Sequence, residues 1–324
     1  MNKKQKPFFS IISILLLITL PLYIKSQYFI TIAIFIFIYS ILALGLRVMM
    51  KVGEVSFAHA AFMGVGAYAS ALLTMKLHLS FWMAWPIACA ATAFLAFFLG
   101  SLAVRTKGVH FFIVTLAMGE TIRLLAMNWN APLLGGPNGI YGIPPPAPIG
   151  FGALKIAFDS RVGMYFIALV ASIIVVLVAM RLDRSRLGRI WDVIGQDERL
   201  ASVIGINVYR QRLGSFILSS TIAGLGGVIF AHIMTSISPY DFTFFFAVQV
   251  LIYVICGGSE TLIGPIIGVT TLVISSEVLR KLGHYELLFY GFLLILVLRF
   301  IPNGVVSVVK RMLISGRRRM ERER

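Results

Sequence analysis

The sequence predicts an all-α integral membrane protein. Apolar residues make up 59% of the 324-residue chain and charged residues 13%, well below the roughly 25% charged residues of soluble domains. The apolar residues come in runs of about 16 to 23, and a helix needs roughly 20 residues to cross the hydrocarbon core of a bilayer. We therefore expect membrane-spanning helices rather than barrel strands.

Hydropathy predicts about ten transmembrane helices in a single membrane domain covering residues 1–324. The predicted spans cover residues 8–24, 28–46, 56–75, 82–104, 109–127, 161–181, 213–234, 243–257, 262–279 and 285–301. No small-residue cleavage site follows the first span, so we expect it to remain in the protein as an uncleaved helix.

The distribution of basic residues predicts the orientation. With the N-terminus inside, 22 of the 29 Lys and Arg residues fall on the cytoplasmic side and six on the other, and Lys- and Arg-rich loops stay in the cytoplasm. Both termini are then cytoplasmic, including a basic tail at residues 303–324. The net charge of +16 does not indicate nucleic-acid binding, because the basic residues flank apolar spans and form no separate basic domain.

Two polar segments stand out between the spans. Residues 128–160 are predicted to be external and contain Gly135, Gly136, Pro137, Asn138 and Gly139. Glycine and proline at this density form turns, which indicates a cap or gating loop over the bundle. Residues 182–212 form a strongly basic cytoplasmic segment, and the spacing of its Glu, Ala and Gly residues after residue 197 predicts a short helix that docks on another protein.

Two spans are interrupted by polar residues and glycines. The first break contains Gly53, Glu54, Ser56 and His59, and the second is at residues 256–265. Irregular backbone near the membrane is tolerated where protein or a water-filled cavity satisfies it, so both breaks indicate a translocation pathway. The alternative for Gly64 and Gly66, which follow the first break, is close helix packing, and the alternative for His59 is a hydrogen-bonded packing role.

One ion pair is predicted inside the fifth span. Glu120 and Arg123 are three residues apart and therefore share a helical face. Ionisable side chains at membrane depth face a partner or a cavity. The pair could fix helix packing, or it could take part in gating or substrate passage.

The motifs in the sequence predict that the protein is not an enzyme. No nucleophile, base and orienting group come together in the sequence, and no phosphate-binding loop with a following Lys-Ser or Lys-Thr is present. Cys89 and Cys256 both lie in apolar spans, which speaks against a metal cluster or a disulfide framework.

Four segments resemble branched-chain amino acid ABC permeases of the LivM type. Residues 53–68 resemble the family signature, although Ala58 replaces a usual glycine and Glu54 stands where glutamine is common. Residues 112–120, 135–140 and 198–208 are similar to the family's Thr-Leu-Ala-x-Gly-Glu helix, its external Gly-Gly-Pro-Asn-Gly loop and its cytoplasmic coupling loop.

The resemblance implies a type II-like ABC importer permease bundle in the bacterial cytoplasmic (inner) membrane. Expected partners are a LivH-type permease subunit, two cytoplasmic ABC ATPases and a periplasmic or lipid-anchored substrate-binding protein. The chain itself would bind no cofactor or metal, because ATP and Mg are used by the partner ATPases.

The resemblance also implies roles for individual residues. Those expected at the ATPase joint are Asp197, Glu198, Arg199, Ala201, Gly205 and Asn207. Those expected along the translocation pathway are Gly53, Glu54, Ser56, His59, Thr115, Glu120, Gly258 and Glu260. The external gating loop would comprise Gly135, Gly136, Pro137, Asn138 and Gly139.

The implied substrates are leucine, isoleucine and valine. Related permeases move urea, short amides, or aromatic and other organic acids, and these remain alternatives. A secondary transporter driven by an ion gradient would also have broken helices and carboxylates within the membrane, but it would have no need of a docking helix. A membrane-embedded enzyme would require a polar catalytic cluster.

Overall fold

The computed structural model describes residues 26–129, 131–151, 154–156, 158 and 160–281, and the isolated positions 17, 19–21, 291, 292 and 295. The helices in the described ranges are α1 (Gln27–Met50), α2 (His59–Met75), α3 (Phe81–Ala103), α4 (Val109–Asn128), α5 (Ala131–Leu134), α6 (Arg161–Arg184), α7 (Arg186–Gln196), α8 (Glu198–Val203), α9 (Val208–Met234), α10 (Phe244–Gly257) and α11 (Gly264–Leu279).

The predicted spans correspond to helices wherever the structure describes them. Five helices, α1, α3, α4, α6 and α9, are long and apolar enough to cross a membrane, and α2, α10 and α11 are shorter apolar helices. The predicted spans at 8–24 and 285–301 lie almost entirely outside the described residues, and the tail at 303–324 lies wholly outside them. The structure therefore supports a helical membrane bundle without establishing ten spans.

Helix α9 is at the centre of the bundle and packs against α1, α2 and α3, while α1 also packs against α6, α10 and α11. Glycines allow α2 and α9 to approach each other closely. A Cβ atom on Gly66 of α2 would lie 2.1 Å from the carbonyl oxygen of Gly224, and one on Gly227 of α9 would lie 1.8 Å from that of Met63. These glycines therefore serve close helix packing.

Helix α4 is the least buried of the five long helices. Only Phe111, Thr115 and Gly119 are buried in this chain, and they recur every four residues on one face. Val109 and Ile113 are exposed on the open side. One face of α4 is thus available to lipid or to another subunit.

Two helices extend beyond their predicted ends. Hydropathy ends the sixth span at residue 181 and begins the seventh at 213, but α6 continues to Arg184 and α9 begins at Val208. The extra turns are stable because Asp183 and Arg212 are ion-paired and because the Asn207 side chain caps α9 by accepting from the Arg210 N–H at 3.0 Å. The segment 182–212, predicted to be a cytoplasmic coupling loop, thus contains the end of α6, the short helices α7 and α8, and the first turn of α9.

The segment predicted to be external is anchored to the bundle. Strand β1 (Ile140–Tyr141) pairs antiparallel with β4 (Ser236–Ile237) after α9, whereas β2 (Ile149–Phe151) and β3 (Leu154–Ile156) form a hairpin. His232 bridges Ser70 Oγ at 2.8 Å and the Pro144 carbonyl at 2.7 Å. The loop is therefore attached to both α2 and α9.

Candidate functional site

The two-helix segment (residues 185–207) is built by local capping. Ser185 begins α7 by accepting from the Gly188 N–H at 3.0 Å, and Asp197 begins α8 by accepting from the Arg199 and Leu200 N–H groups at 2.9 and 3.1 Å. Side chains of this type satisfy the free N–H groups at a helix start. Each short helix therefore has a fixed beginning although neither spans the membrane.

Gly205 ends α8 in a left-handed conformation with φ +86°. The Gly205 N–H donates to the Ser202 carbonyl and the Ile206 N–H donates to the Ala201 carbonyl, both at 3.1 Å. This pair of bonds is the Schellman arrangement, in which glycine is favoured at the left-handed position. Among the described residues, no atom beyond its chain neighbours lies within 4 Å of a Cβ placed on Gly205, so a glycine is favoured there for its backbone conformation.

The two-helix segment presents an apolar face formed by Leu200, Val203 and Ile204. The spacing of three and four residues places these side chains on one side of α8. All three are exposed, and Val203 is 82% exposed. A contiguous exposed apolar surface with polar neighbours is typical of a protein interaction site.

The Asp183 cluster connects the two-helix segment to α1. Asp183 accepts from the Arg47 Nη1 and Nη2 atoms at 3.2 and 3.0 Å, and from Lys51 Nζ at 3.0 Å. Lys51 also contacts Asp192 of α7 at 2.8 Å, and Arg47 Nε donates to the Ser259 carbonyl at 2.9 Å. Because Arg47 and Lys51 are nearly inaccessible, these ion pairs are less screened than surface pairs.

A second buried ion pair joins the first break to α9. Arg212 Nη2 donates to Glu54 Oε1 at 2.6 Å and to the Thr106 carbonyl at 2.7 Å, and the Gly108 N–H donates to the Glu54 carboxylate. Burial raises the pKa of the Glu54 carboxyl, while the Gly108 N–H and the Arg212 charge act in the opposite direction. The arrangement connects the 51–58 loop, the turn before α4 and the start of α9.

The residues expected at the ATPase joint have mixed environments. Glu198 is ion-paired with Lys107 at 2.7 Å, which connects α8 to the turn before α4. Ala201 is completely buried and packs within this chain, so its methyl group is not presented to a partner. Asp197 and Asn207 cap helices, and the Arg199 carbonyl accepts from Ser202 Oγ at 2.7 Å.

Four residues expected along the pathway are enclosed within the chain or packed against its backbone. His59 is buried between α1 and α9, where its Nε2 lies 2.9 Å from the Leu42 carbonyl and its Nδ1 3.4 Å from Ser219 Oγ. Thr115 is buried and accepts from the Phe57 N–H. The remaining two share this kind of environment: Ser56 is buried, and Gly53, with φ +81°, approaches the backbone of Gly195.

Glu54 belongs to the buried ion pair, and the other three expected pathway residues lie at partly open places. Glu120 pairs with Arg123 on α4 and contributes to a crevice between α2, α4 and the start of α10. Gly258 has φ +98° at the end of α10. Glu260 lines a cavity of about 600 Å³ beside the Asp183 cluster.

The expected gating-loop residues form one compact turn. Gly136, Pro137 and Asn138 make a single turn of 3₁₀ helix, and Gly135 and Gly139 flank it with φ near +80°. A Cβ on Gly139 would lie 2.0 Å from the Ile237 carbonyl oxygen. The turn is therefore packed directly against the strand that follows α9.

The structure adds residues that the sequence reasoning overlooked. The spacing of Leu200, Val203 and Ile204 indicates the apolar face in the sequence, whereas the expected contacts included charged residues of the same helix. The partners of Asp183 and Arg212 could not be found in this way, because each pair joins segments more than 130 residues apart.

The chain matches the family described as the branched-chain amino acid transport system permease component over residues 28–298. It is 32% identical over 326 residues to the high-affinity branched-chain amino acid transport system permease protein LivM of Escherichia coli, covering 95% of this chain and 76% of that protein. A probable LivM permease of Methanocaldococcus jannaschii is 24% identical over 68% of this chain and 67% of its own length. The LivH permease of Escherichia coli is 28% identical over 38% of this chain and 40% of its own length.

Proposed function

Because the chain belongs to the branched-chain amino acid transport permease family, we propose that it forms one half of the membrane pathway of an ATP-driven importer of branched-chain amino acids. A homologous LivH-type subunit supplies the other half. Two cytoplasmic ABC ATPases supply the energy, and a periplasmic or lipid-anchored binding protein delivers the substrate. ATP hydrolysis belongs to the ATPases and not to this chain.

The apolar face of α8 carries this proposal. Leu200, Val203 and Ile204 are exposed at the same end of the helical bundle as the Asp183 cluster. The distribution of basic residues predicts that this end is cytoplasmic. A monomer in water would gain nothing from exposing these side chains, whereas an apolar groove on an ATPase would bury them. We therefore assign the ATPase contact chiefly to this face, with Arg199 at its polar edge.

The ion pairs explain how movement of α8 would reach the membrane helices. Glu198 is bound to Lys107 before α4, and Asp192 of α7 is bound to Lys51 after α1. Asp183 then connects α1 to α6. When the ATPases close on ATP, these contacts would carry the displacement of α7 and α8 to α1, α4 and α6. Alternating access of the pathway follows from that displacement.

The open face of α4 supports a second membrane subunit. Most of this helix is unburied in the single chain, and it carries an ion pair that lipid would disfavour. We place the translocation pathway between this face and the LivH-type subunit. The anchored turn at residues 135–139 would then lie at the periplasmic entrance.

The proposal is tested by reconstituting the chain with its LivH-type partner, the ATPases and the binding protein in proteoliposomes. Leucine uptake should require ATP and should persist when an uncoupler dissipates ion gradients. Val203→Asp should abolish uptake and co-purification of the ATPases, and the matched Val203→Ile should retain both. Uptake driven by an ion gradient without ATP would contradict the proposal.

A further inference from the structure

A stripe of half-buried side chains on α4 lies between its packed and open faces. Leu116, Glu120, Arg123 and Met127 make up this stripe. Glu120 is 11 residues from the start of α4, about 16 Å along the axis at about 1.5 Å per residue. In a hydrocarbon core about 30 Å thick, this depth is close to the middle.

The ion pair within the stripe uses only part of its hydrogen-bonding capacity. Arg123 Nε and Nη2 both contact Glu120 Oε2 at 2.8 Å, and within the described part of the chain Nη1 contacts only the Met127 sulfur, at 3.2 Å. Thioether sulfur is a weak acceptor. Among the described residues, Glu120 Oε1 accepts no hydrogen bond. The pair therefore has no net charge but retains an acceptor and donors for another molecule.

An apolar crevice adjoins Glu120. Its other lining residues are Phe57, Ala60, Ala61, Leu116, Gly119, Phe242, Thr243 and Phe244. The crevice offers about 10 Å³ in this conformation, which is about the space that one water molecule needs. An aliphatic side chain can enter only when α4 moves away from the start of α10.

We propose that the Glu120–Arg123 pair and this crevice form a transient binding station for a zwitterionic aliphatic amino acid, an inference that rests on the proposed function. Glu120 Oε1 accepts from the α-ammonium group, the Arg123 Nη atoms donate to the α-carboxylate, and the side chain enters the crevice. A neutral pair with one acceptor and several donors is complementary to a zwitterion. An organic acid would leave Glu120 Oε1 without a cationic donor, and an uncharged amide would offer a charged group to neither Glu120 Oε1 nor the Arg123 Nη atoms.

The station is tested by protection of a thiol in the crevice. In the assembled transporter carrying Cys89→Ala and Cys256→Ala, Thr243→Cys is allowed to react with N-ethylmaleimide. The competing probes are L-leucine, 4-methylpentanoate, which lacks the ammonium group, and 3-methylbutylamine, which lacks the carboxylate. Near-saturating L-leucine should slow the reaction at least about fivefold, and the other two compounds should not.

Glu120→Gln and Arg123→Gln should each abolish protection by leucine, whereas Thr121→Ala, on the exposed side of α4, should retain it. Equal protection by all three compounds, or none by leucine in a transporter that still binds its ATPases and imports leucine with ATP, would overturn the station and leave the proposed function standing. Failure of the unmodified chain to assemble with the ATPases would instead count against the proposed function.

Discussion

Arg212 and Glu54 lie 158 residues apart in sequence, yet the Arg212 guanidinium donates to the Glu54 carboxylate at 2.6 Å in a buried site. The Arg212 guanidinium also lies over the Phe111 ring at 5.7 Å. One arginine thus connects the start of α9 with the 51–58 loop and with α4. These elements meet at the end of the bundle where the two-helix segment is attached.

Removing one partner of this pair should destabilise the protein. Glu54→Leu leaves a buried guanidinium without its carboxylate, a change that typically costs about 3–5 kcal/mol. We expect a clear fall in the thermal unfolding midpoint in detergent. Arg210→Gln, an exposed arginine in the same turn, is the control and should have little effect. Equal midpoints for both variants would show that the pair contributes nothing to stability.

The Asp183 cluster predicts an order of effects for two aspartates. Asp183→Asn removes the carboxylate shared by Arg47 and Lys51, so two nearly buried cations lose an anion. Asp192→Asn removes one contact of Lys51 from a half-exposed site, where ion pairs contribute little. Limited proteolysis of residues 185–207 should therefore be faster for Asp183→Asn than for Asp192→Asn. The reverse order would contradict the assignment of Asp183 as the centre of the cluster.

The crossing of α2 and α9 predicts opposite results for two glycines of the same helix. Gly227→Ala would place a methyl group 1.8 Å from the Met63 carbonyl oxygen, which forces the helices apart. Gly214→Ala meets only the edge of Trp191 at 4.0 Å and adds a better helix former. The yield of monodisperse protein should fall sharply for Gly227→Ala and be maintained for Gly214→Ala. Normal folding of Gly227→Ala would refute the close crossing.

Gly205 should be sensitive to backbone conformation rather than to side-chain size. An alanine at φ +86° incurs roughly 1–2 kcal/mol of strain, although space for its methyl group is open. Asparagine adopts left-handed conformations more readily. We expect weaker ATPase co-purification for Gly205→Ala than for Gly205→Asn. Stronger binding by the alanine variant would indicate that the Schellman turn is not needed for docking.

The sequence was sufficient for the helices and insufficient for their pairings. Apolar runs identify α1 to α4, α6 and α9 to α11 because membrane helices need long apolar stretches. The ends of α6 and α9 were misplaced because hydropathy treats Asp183 and Arg212 as solvated charges, whereas both are paired within the fold. Such pairing depends on contacts between distant segments, which a single sequence does not contain.

The absence of long-range contacts from a single sequence also explains why Glu54 and His59 were expected along the translocation pathway. Polar residues near a helix break indicate either a pathway or a hydrogen-bonded packing role. His59 is enclosed between Leu42 and Ser219, and Glu54 is bound to Arg212, so both side chains have hydrogen-bond partners within the chain. The sequence motif predicts a docking helix, and the structure shows that the apolar side chains of this helix are exposed.

Photocrosslinking from position 203 tests the account most directly. A photoreactive amino acid in place of Val203 should form an adduct with the mass of this chain plus one ATPase, because Val203 is the most exposed apolar side chain of α8. The same amino acid in place of Leu177, exposed on the membrane helix α6, should form no such adduct. Absence of an ATPase adduct from position 203 in a transporter that imports leucine would contradict the assignment of α8 as the docking helix.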